Sequence, residues 1–347
     1  MSFVLHEPAR LDLCYDSLHG LSVGDALGAQ FFMVGRSPAD LAAGRPPAAP
    51  WEWTDDTEMS CSVVAELAAH GEIRSDRLAA VFAERCEPYR GYGAGAVVIL
   101  HQIRDGVPWR DAAREAFGGE GSCGNGAAMR VAPLGAYHAD RPRLAAEQAI
   151  RSAEVTHAHP EGIAGAVLVA VAAAHAAAAR LTGVRPSAPE FVDRLEPYLV
   201  DGQVRRGVER ARRLLSAAAV TVEEAAYELG NGSRVTAQDT VPFALWVAAT
   251  HLGDYPAGIS ACVTAGGDID TTGAIVGGVL AAYTGIGDRP DAVGVPATWL
   301  AAREALPDWV DRRLFDEPGS APGSVQGSIP GSAPGSDPGS APGSDPR

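Results

Sequence analysis

The chain has 347 residues, 46% of them hydrophobic, and a formal net charge of −15 at pH 7. That is ample apolar material for a buried core, and the acidic field argues against binding a nucleic-acid backbone, because like charges repel at long range. Five scattered cysteines (Cys14, Cys61, Cys86, Cys123, Cys262) with no CxxC pair fit reduced thiols in a cytoplasmic protein better than a disulfide framework.

In chain order, the opening MSFVLHEPARLDLCYDSLHG has no basic stretch followed by an apolar run, so no secretion leader is expected. Leu11, Tyr15, Leu18 and Leu21 recur at helical spacing, and the glycine-rich stretch 24–28 reads as a turn closing that helix. Thr54 is placed to cap a helix beginning near Asp55, with Met59, Val63, Val64 and Leu67 along one face. Asp55 and Asp56 at its start are favoured by the helix dipole. Taken alone they describe a capped surface helix, although Trp51 and Trp53 beside them sit poorly in water.

Further helices are predicted over 76–86, 94–104, 143–155, 162–181, 188–200, 203–216, 222–229, 240–252 and 271–284. Alternating β patterns are almost absent, so the fold class is all-α. The uncharged stretch 162–179 has the length of a membrane span, but it is alanine-rich and interrupted by His175. It reads as a central core helix, with no membrane association.

Glycine clusters at 91–95, 118–126, 230–232 and 266–267 point to a site built from loops and helix ends. In Gly121-Ser122-Cys123-Gly124-Asn125-Gly126, backbone N–H groups can form an anion nest, with Ser122 and Asn125 as further donors. No Lys-Ser/Thr follows, so it is not a P-loop; a tight connecting turn is the alternative. His157 and His159 stand at i, i+2, poor geometry for zinc, so His157 reads either as a donor to a ligand phosphate or as a satisfied core histidine.

Asp268, Asp270 and Thr271 open the small, apolar helix that includes 274–283, which places them near the interior. Alone they too fit an ordinary N-cap. Combined with Thr54, Asp55 and Asp56, they form an all-oxygen set that suits Mg²⁺ or Mn²⁺ and not zinc. Four carboxylates balance two divalent cations; without metal they repel and their pKa values rise. Sequence spacing alone does not bring the two groups together. From Glu317 the chain becomes a Gly-Ser-x-Pro repeat, so the expected organisation is a domain over 1–316 and a disordered tail over 317–347.

Taken in order, GLSVGDALG at 20–28, WTDDTEMS at 53–60, GSCGNGAAMRVAPLG at 121–135, THAHPEG at 156–162, NGSRVTAQDTVPFALW at 231–246 and GGDIDTTGAIVGG at 266–278 resemble the ADP-ribosylglycohydrolase family. That family includes the dinitrogenase-reductase-activating glycohydrolase and the ADP-ribosylhydrolases. The likeness spans roughly 10–290 and implies a single orthogonal multi-helix domain with a binuclear Mg²⁺ (or Mn²⁺) centre. It implies that Thr54, Asp55 and Asp56 form one ligand group, and Asp268, Asp270 and Thr271 the other. The loop from Gly121 through Ser122, Cys123, Gly124, Asn125 and Gly126 to Ala127 would hold the ADP-ribose diphosphate, and His157 would line the cleft.

The expected activity is hydrolysis at the anomeric carbon of the distal ribose. The expected partner is an ADP-ribosylated protein or small conjugate; a nucleic-acid acceptor stays open, and the chain is expected to be a monomer. Two departures stand out: Phe32 occupies the place where some members carry a glutamate, and Cys123 the place where several carry an aromatic. With that glutamate missing, Asp55 or Asp56 is the expected water-activating carboxylate. A non-catalytic, crystallin-like binder and a metal-dependent phosphoesterase are the alternatives. Acceptor choice is expected to lie around Trp51, 89–95 and Cys123.

Overall fold

A computed structural model describes residues 4–310. Sixteen α-helices joined by loops and short 3-10 turns make up these residues, and backbone pairing between extended segments is limited to isolated bridges. The all-α expectation holds. The repeat tail lies outside the described residues.

The centre is a pair of helices, α1 (Glu7–Ala29) and α15 (Ile269–Thr284), flanked by α9 (Pro160–Thr182) and α7 (Ala132–Tyr137). α9 contains the uncharged alanine-rich stretch. It is long and apolar enough to cross a membrane, yet most of that window is buried inside the protein. His159 caps it, accepting from the Glu161 N–H at 3.1 Å, and Gly183 ends it at φ 67°.

Around this core pack α3 (Asp55–His70), α8 (Pro142–Glu154), α13 (Ala237–Thr250) and α14 (Tyr255–Ala265). An outer layer comprises α4 (Ser75–Arg85), α5 (Ala94–Arg104) and α6 (Trp109–Glu115). α10 (Ala188–Asp193), α11 (Gln203–Leu215) and α12 (Val222–Leu229) cover α13, and the short α2 (Pro38–Ala42) and α16 (Ala297–Ala302) complete the set.

Residues 24–28 are not a turn. α1 runs through them to Ala29, because their glycines serve helix packing. A Cβ on Gly273 would meet the Gly24 carbonyl oxygen at 2.5 Å, and one on Gly28 would meet the Ile269 carbonyl oxygen at 2.6 Å. The absent side chains let the two backbones touch along their length. Residues 188–200 are likewise not one helix: α10 stops at Asp193 and a 3-10 turn, Glu196–Tyr198, follows with Pro197 near its start. α14, α6, α7, α2 and α16 were not anticipated. All five cysteines are free.

Candidate active site

The close approach of α1 and α15 brings Asp25 beside Asp270 at the start of α15, and α3 delivers its own N-terminus to the same place. Asp25 is fully buried in the helical stripe of Leu18 and Leu21. Its carboxylate accepts from the Thr54 N–H (2.9 Å), the Thr54 hydroxyl (2.8 Å), the Thr57 N–H (3.2 Å) and the Thr57 hydroxyl (2.5 Å). These bonds satisfy orphan donors of the first turn of α3. Burial nevertheless raises Asp25 to about 6, against the lowering effect of those hydrogen bonds. Sequence reading gave this residue no role, although a carboxylate inside an apolar helical stripe was a visible signal.

Thr54 caps α3, accepting from the Asp56 N–H at 3.4 Å, and its hydroxyl also lies 3.2 Å from Asp56 Oδ2. Asp56 is buried, and its Oδ1 has no hydrogen-bond partner. Asp55 is half-buried, with its Oδ1 3.6 Å from where a side chain on Gly91 would begin. Burial pushes Asp55 up to about 8, and the charges of Asp25, Asp268 and Glu58 add to that. Asp56 is raised well above the usual range by burial, then by Asp25, Asp270, Asp55 and Asp268. Asp270 is raised by burial, then by Asp268, Asp25 and Asp55. The two distant motifs therefore face one another closely enough to feel each other's charge.

Asp268 and Asp270 are half-buried and Thr271 is buried at the start of α15. The Asn125 side-chain amide donates to Asp268 Oδ2 at 2.7 Å and to the Thr240 hydroxyl at 3.0 Å. Asn125 is thus occupied in fixing a carboxylate, a different employment from the expected anion donor. The Asp268 N–H donates to the Asn231 carbonyl at 3.1 Å, and the Thr271 N–H to Asp270 Oδ1 at 2.8 Å.

The loop from Gly121 to Gly126 wraps the His157 ring. Gly121 takes φ +72°, and a Cβ there would lie 2.7 Å from the His159 nitrogen, so glycine is required. The Ser122 hydroxyl accepts from the Gly124 N–H at 3.1 Å, and the Asn125 N–H donates to the Val235 carbonyl at 3.3 Å. Val235 holds φ +54°, costly for a β-branched residue at about 1–3 kcal/mol. Cys123 is half-buried, with its carbonyl accepting from the Ala237 N–H at 2.9 Å. His157 is buried under this loop, and burial together with Arg130 lowers it to about 3, so it is neutral. Thr156 Oγ1 accepts from Arg130 at 3.0 Å and stands 2.8 Å from His157 Nδ1. The other ring nitrogen, Nε2, lies beside Gly124 and Gly126.

The remaining expected residues separate from the site. Trp51 is buried against Trp299 and cannot shape an acceptor pocket. Trp53 is buried under the Arg90 guanidinium, 3.4 Å from its ring centroid, and Arg90 pairs with Glu304 at 2.7 Å. Both tryptophans anchor the segment entering α3. Phe32 is 55% exposed on the 3-10 turn Gln30–Phe32.

The donor set fits hard divalent cations: it is all oxygen, carries several like charges, and includes the orphaned Asp56 Oδ1. Among the described residues, no three His, Cys, Asp or Glu side chains are drawn to metal-ligating distance of one another.

The ADP-ribosylglycohydrolase family model matches residues 6–322. The chain is 30% identical to ADP-ribosylhydrolase ARH3 of Gallus gallus, over 86% of this chain and 90% of that protein. It is 26% identical to the ADP-ribosyl-(dinitrogen reductase) glycohydrolase of Rhodospirillum rubrum, over 89% of this chain and 96% of that one. A solved ADP-ribosylglycohydrolase-related protein complex superposes with a TM-score of 0.60 at 25% identity, covering 86% of this chain and 94% of that one.

Proposed function

The chain belongs to the ADP-ribosylglycohydrolase family, and from that membership we propose that it hydrolyses the bond between the distal ribose of ADP-ribose and a modified acceptor at a two-cation carboxylate site. The observation that carries this reading is that α1 joins two segments over two hundred positions apart: Asp25 accepts from Thr54 and Thr57 at the start of α3, and Gly28 packs on the Ile269–Asp270 backbone at the start of α15, so their carboxylates raise one another.

Thr54, Asp55, Asp56, Asp268, Asp270 and Thr271 would hold two Mg²⁺ (or Mn²⁺) ions. When bound, such ions polarise oxygen ligands and make a water more acidic. The residues of the chain do the rest. Asp25 fixes the first turn of α3 through Thr54 and Thr57, and Asn125 fixes Asp268. The loop from Gly121 to Ala127 receives the diphosphate, with the neutral His157 ring beneath it. Asp55, on the open side next to Gly91, takes the proton of the attacking water; buried Asp56 stays in the holding role. Water adds at the anomeric carbon through an oxocarbenium-like transition state, the glycosidic bond breaks, and the acceptor leaves with the proton that Asp55 took from the water. Phe32, exposed, takes no part.

The test is release of free ADP-ribose from an ADP-ribosylated peptide in Mg²⁺. Asp55→Asn is expected to lower kcat by about 100-fold or more with ADP-ribose binding retained. Full turnover by this variant overturns the assignment.

A further inference from the structure

The stretch 230–238 has two sides. On one it meets the proposed site: Asn231 accepts the Asp268 N–H, and Val235 and Ala237 pair with the loop of Cys123 and Asn125. On the other it walls two cavities, of about 510 and 450 Å³, which share Tyr227, Gly230, Arg234 and Asp239. Each is within the size range of small-molecule sites.

Their lining carries both signs: Arg210 and Arg234 stand with Glu228 and Asp239 in the first cavity, and Arg234 with Glu223 and Asp239 in the second. Arg210 projects from α11, held by donation from its Nε to the Glu228 carbonyl at 3.2 Å, and Arg234 is exposed on the loop. Asp239 is committed locally, accepting the Arg234 N–H at 2.9 Å. Tyr227 is 87% exposed and lines both cavities, while Gln203 and Gln238 add amides to the first. The Gln238 side-chain oxygen is buried without a partner. In the first cavity the two guanidiniums, an open aromatic face and an unpartnered amide oxygen suit a phosphorylated nucleoside: phosphate on the arginines, base on the ring shared with the second cavity.

We propose that these joined cavities are a second nucleotide subsite, separated from the catalytic cleft only by residues 230–238. Its occupant is a nucleoside phosphate, either a nucleotide extension of the substrate or a free nucleotide. The inference rests on the cleft taking ADP-ribose, as proposed above.

AMP is titrated calorimetrically into the full chain, with and without saturating ADP-ribose to fill the cleft. The subsite predicts one further AMP per chain, weakened at least about tenfold in Arg210→Gln/Arg234→Gln and weakened in Tyr227→Ala, with ADP-ribose affinity unchanged. Arg234→Gln alone, at an exposed position, guards against a folding defect in the double variant. A rise in KM of the double variant only for substrates bearing an extra nucleotide assigns the occupant to the substrate. A change in wild-type turnover of a single-unit substrate on adding AMP assigns it to a free nucleotide. No AMP bound beyond the cleft, or binding indifferent to both arginines, overturns the proposal. Failure of ADP-ribose to bind, with arginine-dependent AMP binding intact, overturns the cleft assignment and leaves the subsite standing.

Discussion

Truncating Asp25 to alanine leaves the Thr54 N–H and the N–H and hydroxyl of Thr57 without their acceptor, while the Thr54 hydroxyl keeps Asp56 Oδ2. Each buried group left unsatisfied costs about 1–3 kcal/mol, so Asp25→Ala is expected to lose at least about 2 kcal/mol in denaturant unfolding and to bind Mg²⁺ more weakly. Unchanged stability and Mg²⁺ affinity contradict the role given to it. The same cluster sets a pH dependence. Asp25 and Asp55 stand at about 6 and about 8 instead of the ordinary 3.8, so the folded, metal-free protein keeps protons that the unfolded chain has released. Its stability therefore falls as pH rises from about 4 through about 8. Added Mg²⁺, replacing those protons, is expected to raise Tm more at roughly pH 8 than at pH 5.5; a pH-independent increment counts against a carboxylate site. At this scale the sequence displayed the donor types but not their company. Asn125 looked like an anion donor because nothing in its own loop announces Asp268, which folding brings from 143 positions away.

The pairing of α1 with α15 decides whether the acidic groups meet at all. Gly24→Ala puts a methyl group against the Gly273 backbone, which cannot yield as a flexible side chain can. Overpacking of this kind costs about 1–3 kcal/mol, and the helices must separate where Asp25 faces Asp270. The expected outcome is a modest loss of Tm with a much larger loss of turnover. A variant that loses both in proportion, or neither, contradicts the link between this seam and the site. The glycines that make the seam are also why the element was misread. Each lowers helix propensity by about 1 kcal/mol, which locally signals a turn, and only the partner backbone reveals their purpose. Helices with strong apolar periodicity, such as those at 94–104 and 222–229, were legible to within a residue. α7 and α16 span less than two turns each and offer too little periodicity to read.

Among the described residues, an acidic chain brings buried and half-buried carboxylates of α1, α3 and α15 close enough to raise one another, where like charges repel unless a cation intervenes. The motifs carrying those charges were visible from the start. Their convergence was not, because it depends on how α1, α3 and α15 pack together and not on any local pattern. The most direct measurement is release of free ADP-ribose from an ADP-ribosylated peptide after exhaustive chelation, followed by Mg²⁺ addition. The account predicts that turnover disappears on chelation and returns with Mg²⁺. Undiminished turnover by the metal-free chain contradicts it.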